Sequence, residues 1–371
     1  MNNINIILLS TIIVLIIIKI FFSQQIENFV DYYSECEVSG LLENVVKGNG
    51  MKNNKTNWDY YFPCEYNTCE EKIKTFENQE GTKKIFLVDG CDWPASKIAL
   101  WKLLKEHYGN DEAAKLMPQT YLLDDPVDLL AIKTHFKNNK EIRKNFMYIL
   151  KNYAQRQEGL KIVTTYKEIM EGYKEGFYLV QDYLYNPFLI NKHKINFRYY
   201  TLIVCRNGIV EGYIHRDGFV YYTPEYYDEN DPAFHKHITT GYIDRKIYDT
   251  NPLTLDDFRK KLETMKKGSS TIWDKNVARL MHDIIEAVSL KICKNNKLKK
   301  HTLFMLFGSD VAPTADLLAY LMEINKGPDL DAKDERDKKV KTKVQEDIFK
   351  VIEITDEQGK PFMDNRFERV Y

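Results

Sequence analysis

Hydrophobic and polar positions alternate along this chain with three different rhythms, and each predicts a different kind of element. Residues 4–22 are apolar apart from Asn5, Ser10, Thr11 and Lys19. At 1.5 Å per residue that run makes roughly 28 Å of helix, enough to cross a bilayer core. From Lys83 onward, short apolar runs bounded by turn residues predict strands at KKIFLVDG (83–90), NFMYILK (145–151), LKIVTT (160–165) and FYLVQDYL (177–184). Helical spacing lies between them, from Pro94 to Glu106 through Ile98, Leu100, Trp101 and Leu104, and over YKEIMEGY. The stretch 196–222 reads as antiparallel strands with turns at Asn207-Gly208 and Asp217-Gly218. Thr254 opens a capping-box pattern. Val277, Leu280, Met281, Ile284, Ile285, Val288 and Ile292 then recur at steps of three and four, the mark of a core-packing helix. From 331, Val340, Val344, Ile348 and Val351 set the apolar face of a charged amphipathic helix.

This alternation of strands and helices makes the body of the chain α+β. Residues 23–82 are polar and weakly periodic, which predicts a tether or irregular extension. The apolar run has no basic residue before it and no small-residue cleavage site after it, so the reading is an uncleaved anchor at 4–22 rather than a signal peptide. Lys19, Lys47, Lys52 and Lys55 lie on its carboxyl side, which by the positive-inside rule predicts a cytoplasmic catalytic domain.

Composition removes some classes of function. The chain has 371 residues, 44% of them hydrophobic, with 53 Lys plus Arg against 54 Asp plus Glu. It can bury a large core, and no bulk positive field draws it to nucleic acid. Six scattered cysteines are too sparse for a disulfide scaffold and read as reduced, unpaired thiols.

Chemistry concentrates near the end of the strand pattern. TLFMLFGSDV and LLAYLMEI read as a hairpin, and a turn centred between Asp316 and Leu317 sets Asp310 opposite Glu323, with Asn325 following on the same face. Two carboxylates and an amide make an all-oxygen set of the kind Mg²⁺ prefers, with positions left for phosphate oxygens. Lys151 ends a strand before the polar loop NYAQRQEG, which holds Arg156, Gln157 and Gly159, an arrangement suited to clamping phosphate. VQDYLYNPFLI, from 180, has the form of a hinge strand whose backbone could bond adenine while Tyr183 or its apolar neighbours cover the ring. Lys194, Asn196 and Arg198 alternate on one strand face, which is costly to bury without an anionic ligand. HITT, from 237, offers His237, Thr239 and Thr240 as short donors for ribose or phosphate.

These segments, with SKIALWKLL and LMPQTYLL upstream, occur in the order and approximate spacing of the tubulin-tyrosine ligase family within the ATP-grasp superfamily. The chain resembles that family from about 84 to 328. The resemblance implies an ATP-grasp fold at 145–330, a preceding small α/β domain at 83–144 and a C-terminal helical extension at 331–371. It implies a reaction in which ATP activates a protein carboxylate as an acyl phosphate and a free amino acid (tyrosine, glutamate or glycine) displaces phosphate. The acceptor would carry an acidic or C-terminal carboxylate of tubulin-like kind. By matching positions, Asp310, Glu323 and Asn325 resemble the Mg²⁺ ligands, and Lys97, Lys151 and Lys194 the phosphate-binding lysines. Gln181, Asp182, Tyr183 and Leu184 fall at the adenine hinge, and Arg198 resembles the arginine that steadies the acyl phosphate. Asn196, Thr240 and Tyr221 depart from the family's Asp, Asn and Arg, and Asn152 replaces its Pro or Ser. A membrane-tethered pseudo-ligase that binds an acidic tail without turnover is the alternative these departures suggest. A type II glycosyltransferase with metal ligands at Asp228 to Asp231 is the third reading.

Overall fold

The computed structural model describes residues 31–38, 40–138, 147–152, 159–353 and 365–371. The run at 4–22 lies outside them, and among the described residues no helix is long and apolar enough to cross a membrane.

Strand Thr302–Pro313 organises the larger sheet. It pairs antiparallel with His193–Arg206 on one side and with Ala319–Lys326 on the other, and its first residues run parallel to Lys84–Ile85. His193–Arg206 turns at Asn207 (φ 53°) and Gly208 (φ 77°) into Ile209–Tyr222. Two left-handed residues are what a two-residue hairpin matched to sheet twist requires. Asp217-Gly218 is not a turn, contrary to expectation. Ile209–Tyr222 runs straight through it, and the register shifts between Ile214 and Gly218 as a bulge.

Helices cover the sheet as the apolar spacing predicts. Thr254 and Asp257 form the capping box of helix Leu255–Met265. Helix Ser269–Ser289 buries Val277, Leu280, Met281, Ile284, Ile285 and Val288. Phe197 joins the sheet to both helices, with ring centres 4.6 Å from Phe258 and 5.0 Å from Trp273. Helix Glu335–Glu353 buries Val340, Val344, Ile348 and Val351, and its fully buried Asp347 receives His215 Nε2 at 3.2 Å.

A second, four-stranded sheet runs in the order Thr120–Leu122, Leu179–Asp182, Tyr148–Lys151, Leu160–Val163. Tyr148 and Leu150 face its own core with Tyr121, Ile132, Ile169 and Val180. Period-two alternation sends Met147, Ile149 and Lys151 to the opposite face.

Three expectations are corrected. Residues 31–82 are not a loose tether. They carry Tyr32–Tyr33, Gly40–Gly48, Tyr60–Tyr61 and Cys69–Lys74, with Trp58, Tyr60, Tyr61, Phe62 and Ile73 buried, and the two short strands extend the larger sheet. A tight aromatic cluster, Trp58 with Tyr60, Tyr61 and Phe62, does this in a polar background without any periodic signal. KKIFLVDG is strand only at Lys84–Ile85, because the chain turns at Gly90 (φ 81°), where an added Cβ would lie 2.5 Å from the Lys291 carbonyl. The six cysteines are not unpaired thiols: disulfides join Cys36 to Cys64, Cys69 to Cys91 and Cys205 to Cys293. Their spacing hides this, since every bond closes across the fold rather than along the chain.

The bulge supplies a test of this architecture. An added Cβ on Gly218 would sit 2.2 Å from the backbone oxygen of Arg198 and 2.9 Å from Leu255. Gly218→Ala is therefore expected to lower stability by roughly 1–3 kcal/mol. Urea unfolding followed by circular dichroism measures it, and an unchanged midpoint would contradict the close approach.

Candidate active site

The polar residues singled out in the sequence gather along the inner faces of the two sheets in two linked clusters. In the first, the register sets Asp310 opposite Arg198 on one side and opposite Glu323 on the other, with Asn325 opposite Gly308. The hairpin pairs Pro313 with Ala319, and a bulge between Asp310 and Val311 adds the residue that brings Glu323 level with Asp310. Arg198 grips Asp310 with both ends of its fork, Nε to Oδ1 at 2.6 Å and Nη2 to Oδ2 at 3.2 Å. Gly308 leaves room for that fork, since a Cβ there would meet Arg198 Nη1 at 3.0 Å. Lys97, first residue of helix Lys97–Tyr108 behind its Ser96 cap, reaches Glu323 Oε2 at 3.3 Å. Asn325 Nδ2 donates to Glu323 Oε1 at 3.1 Å, which turns the amide nitrogen inward and leaves its oxygen as an acceptor.

Charge in this cluster is balanced locally. Burial would lower the Arg198 guanidinium, but Asp310 beside it holds it well above its ordinary value. Burial raises the Asp310 carboxyl; Arg198 pulls it down and the facing Glu323 pushes it up, leaving it raised. Burial also pushes Glu323 up, and there Lys97 and Lys151 win, holding it below the ordinary range.

The second cluster is built on the hinge strand. His237 is almost fully buried, its Nε2 2.6 Å from the Asp231 carbonyl and its Nδ1 2.8 Å from the Tyr183 hydroxyl. A carbonyl only accepts, so Nε2 carries the proton and Nδ1 accepts from Tyr183. The Tyr183 oxygen in turn accepts from Lys194 Nζ at 3.1 Å, and that ammonium stands 4.3 Å from the Tyr183 ring centre. His237 therefore orders this chain, and both ring nitrogens are taken, contrary to the expectation of a free donor to ribose or phosphate.

Lys151 and Lys194 are both buried, and no carboxylate among the described residues lies within salt-bridge distance of either. Lys151 Nζ donates to the Met322 carbonyl at 3.3 Å. Desolvation, only partly offset for Lys151 by Glu323, lowers Lys151 to about 8; desolvation with the neighbouring Lys151 charge lowers Lys194 to about 7.

Of the remaining expected residues, Gln181 is fully buried and donates Nε2 to Thr120 Oγ1 at 2.9 Å, which ties the hinge to the neighbouring strand. Burial raises Asp182 to about 6. Leu184 and Thr239 are half-buried. Thr240 is pinned to Tyr222 by a backbone bond of 3.1 Å, and its hydroxyl accepts from the Tyr242 amide. Arg156 and Gln157 lie outside the described residues. Sequence reading missed the apolar wall beside the lysines, where Met147, Ile149 and Tyr183 pack with Leu160, Ile162, Tyr185, Tyr227 and Ile238. The two-residue period of the strand, which puts Met147 and Ile149 on the same face as Lys151, was the signal for it.

Comparison with known proteins identifies the family. The sequence model described as the tubulin-tyrosine ligase family matches residues 76–360. The chain belongs to that family. The family member is similar to the protein named probable tubulin polyglutamylase ttll-9 of Caenorhabditis elegans, with 26% identity over 80% of this chain and 74% of that one. It is also similar to probable tubulin polyglutamylase TTLL9 of Rattus norvegicus (29% identity, 80% and 73% coverage). Tubulin glycylase 3B of Drosophila melanogaster matches at 23% identity over 70% of this chain and 40% of its own length. As a member of the tubulin-tyrosine ligase family the chain is an amino-acid ligase acting on protein, and its mixed α+β architecture fits the family's ATP-grasp-like fold.

The Tyr183 hydroxyl is the joint of the second cluster. Tyr183→Phe leaves His237 Nδ1 and the Lys194 ammonium each short of a partner and should destabilise the fold by about 1–3 kcal/mol. Denaturant unfolding should show a lower midpoint at unchanged slope. An unaltered midpoint would mean that the bond chain carries no weight.

Proposed function

We propose that this ligase uses Mg²⁺-ATP to join glutamate or glycine to a carboxylate on an acidic, tubulin-like protein segment. The observation that carries the reading is the pair of buried lysines, neither with a carboxylate at salt-bridge distance among the described residues, beside two paired carboxylates, a layout that suits an anion bearing its own cation. Buried cations without counter-ions are costly, and phosphate oxygens are the natural complement. Among the described residues Asp182 Oδ1 and Gln181 Oε1 on the hinge strand, and Asn196 Oδ1 on the larger sheet, are buried without a partner, which supports a polar ligand. The apolar wall of Met147, Ile149 and Tyr183 suits a purine face.

Asp310, Glu323 and Asn325 suit a hard cation, being two carboxylates held face to face and an amide oxygen. Mg²⁺ held there would offset phosphate charge as phosphoryl transfer proceeds. Lys97, Lys151 and Lys194 would orient the phosphates. An oxygen of the acceptor carboxylate attacks the γ-phosphorus and ADP leaves. The amino acid's nitrogen then attacks the acyl carbon, phosphate departs, and the nitrogen's extra proton is released to solvent. Arg198 is the cation placed to hold charge on the acyl phosphate. Tyr221, 5.7 Å from the Arg198 guanidinium, supplies an aromatic face rather than a second cation. The reading also takes 4–22 as a membrane helix, and 83–144 and 145–330 as the two parts of the ligase. Binding without turnover is the competing outcome.

Glu323→Gln keeps the shape and removes one ligand charge, so ADP release with an acidic peptide and glutamate should fall on the order of 100-fold or more while the unfolding midpoint stays near wild type. Undiminished ligation would remove Glu323 from the metal site.

Proton linkage gives a second test. With Lys194 at about 7 and Lys151 at about 8 in the free protein, bound phosphate should raise both. Affinity for ATP is then full where both lysines are already charged. It declines as pH rises through 7 to 8, where binding must take up protons. Calorimetry at about pH 7 and about pH 9, in buffers of different ionisation heat, should show weaker binding and greater proton uptake at the higher pH. Affinity independent of pH would place neither lysine on phosphate.

A further inference from the structure

All six cysteines are used, and they sort into three mutual pairs with no cysteine left free. The bonds tie together segments that are distant in sequence. Cys36 and Cys64 are 28 residues apart with Cα atoms separated by 5.7 Å, and Cys205 and Cys293 are 88 residues apart with Cα atoms separated by 6.0 Å. Both separations lie inside the range a disulfide spans without moving the backbone; Cys69 and Cys91, 22 residues apart, have Cα atoms 7.3 Å apart, just beyond it. Cys69 opens one short helix and Cys91 caps the next. Their sulfurs are bonded to each other, so the neighbouring carboxylates of Glu70 and Asp92 gain no thiolate partner for a metal.

Thiols kept reduced are under no pressure to pair, and six of them scattered over 371 residues would not meet two by two with none left over. Two of the bonds also sit where the sheet strands are shortest. Among the described residues, 31–91 enter the larger sheet through the two-residue strands Tyr32–Tyr33, Tyr60–Tyr61 and Lys84–Ile85, and these two disulfides clamp that stretch. Strands so short contribute little alone, and closing loops of this size stabilises the fold by restricting the unfolded chain. Structural disulfides of this kind persist in oxidising compartments and are rare in the cytosol.

We propose that the ligase domain folds and acts on the exoplasmic, oxidising side of a membrane. Its acceptor is then an acidic segment of a protein resident in or passing through that compartment. The acceptor assignment rests on the ligase reading above; the compartment does not. Lys47, Lys52 and Lys55, which favoured a cytoplasmic domain, lie 25 or more residues beyond position 22. The positive-inside rule counts short loops and positions close to the end of a span, whereas long loops and domains translocate largely regardless of charge. The apolar run at 4–22, read from the sequence as an uncleaved anchor, would deliver the domain to that side. The ATP consumed is that of the same compartment.

The test is made on the full chain expressed in a eukaryotic cell, in sealed microsomes. Denatured protein is treated with a polyethylene-glycol maleimide before and after reduction, and intact vesicles are treated with protease with and without detergent. The expected results are no adduct before reduction, six after it, and a domain digested only once detergent is added. Adducts formed without reduction, or digestion of the domain in sealed vesicles, would each overturn the proposal. ATP-dependent ligation of an acidic peptide is assayed separately on detergent-solubilised protein. Loss of ligation with thiols blocked and domain protected would count against the ligase reading alone, and the reverse pattern against the compartment alone.

Discussion

The structure depends on one register, the pairing of Thr302–Pro313 between His193–Arg206 and Ala319–Lys326. That ladder sets Arg198, Asp310 and Glu323 in a row across three strands, and side-chain alternation sends Ile195, Phe197 and Tyr199 to the opposite face. There Phe197 packs on Phe258 and Trp273, while Tyr199 receives the Trp273 indole N–H at 2.9 Å. A slip of one residue would bury the charges against the helices and turn the aromatics toward the site. The apolar face therefore holds the polar face in place, and stability and chemistry are specified by the same strands.

Desolvation gives the site its character. Arg198 with Asp310 and Lys97 with Glu323 are partially buried ion pairs that neutralise each other. Among the described residues, Lys151 and Lys194 have a carbonyl and a phenol as their polar partners. A carbonyl or phenol satisfies a donor without cancelling its charge, which is why both lysines are depressed while Arg198 is raised. The two kinds of cation suit different tasks. The paired arginine is a fixed, permanently charged fork, and the lysines, with no carboxylate at salt-bridge distance among the described residues, are the cations suited to an incoming anion.

Much of this was legible in the sequence because it follows from period two. The alternation Lys194, Asn196, Arg198 and the spacing from Asp310 through Glu323 to Asn325 put those side chains on common faces, and the register agrees. Helix Ser269–Ser289 and the Thr254 cap followed from equally local rules. What stayed hidden depends on distant partners. His237 read as a donor because nothing in HITT reveals that Tyr183 and the Asp231 carbonyl occupy its nitrogens. Asp217-Gly218 read as a turn because dipeptide chemistry does not distinguish a turn from a bulge forced by the close approach of Arg198. The disulfides and the buried aromatics of 31–82 join segments with no shared local pattern.

The central claim is that these strands hold an ATP-driven amino-acid ligase for acidic protein segments. Mass spectrometry of glutamate-rich acceptor peptides, incubated with the purified chain, Mg²⁺-ATP and one amino acid at a time, tests it most directly. The account predicts a mass gain of one glutamate or glycine residue per turnover, dependent on ATP and accompanied by ADP and phosphate. Hydrolysis of ATP without any mass gain on the peptides, or no turnover with any amino acid, would contradict it.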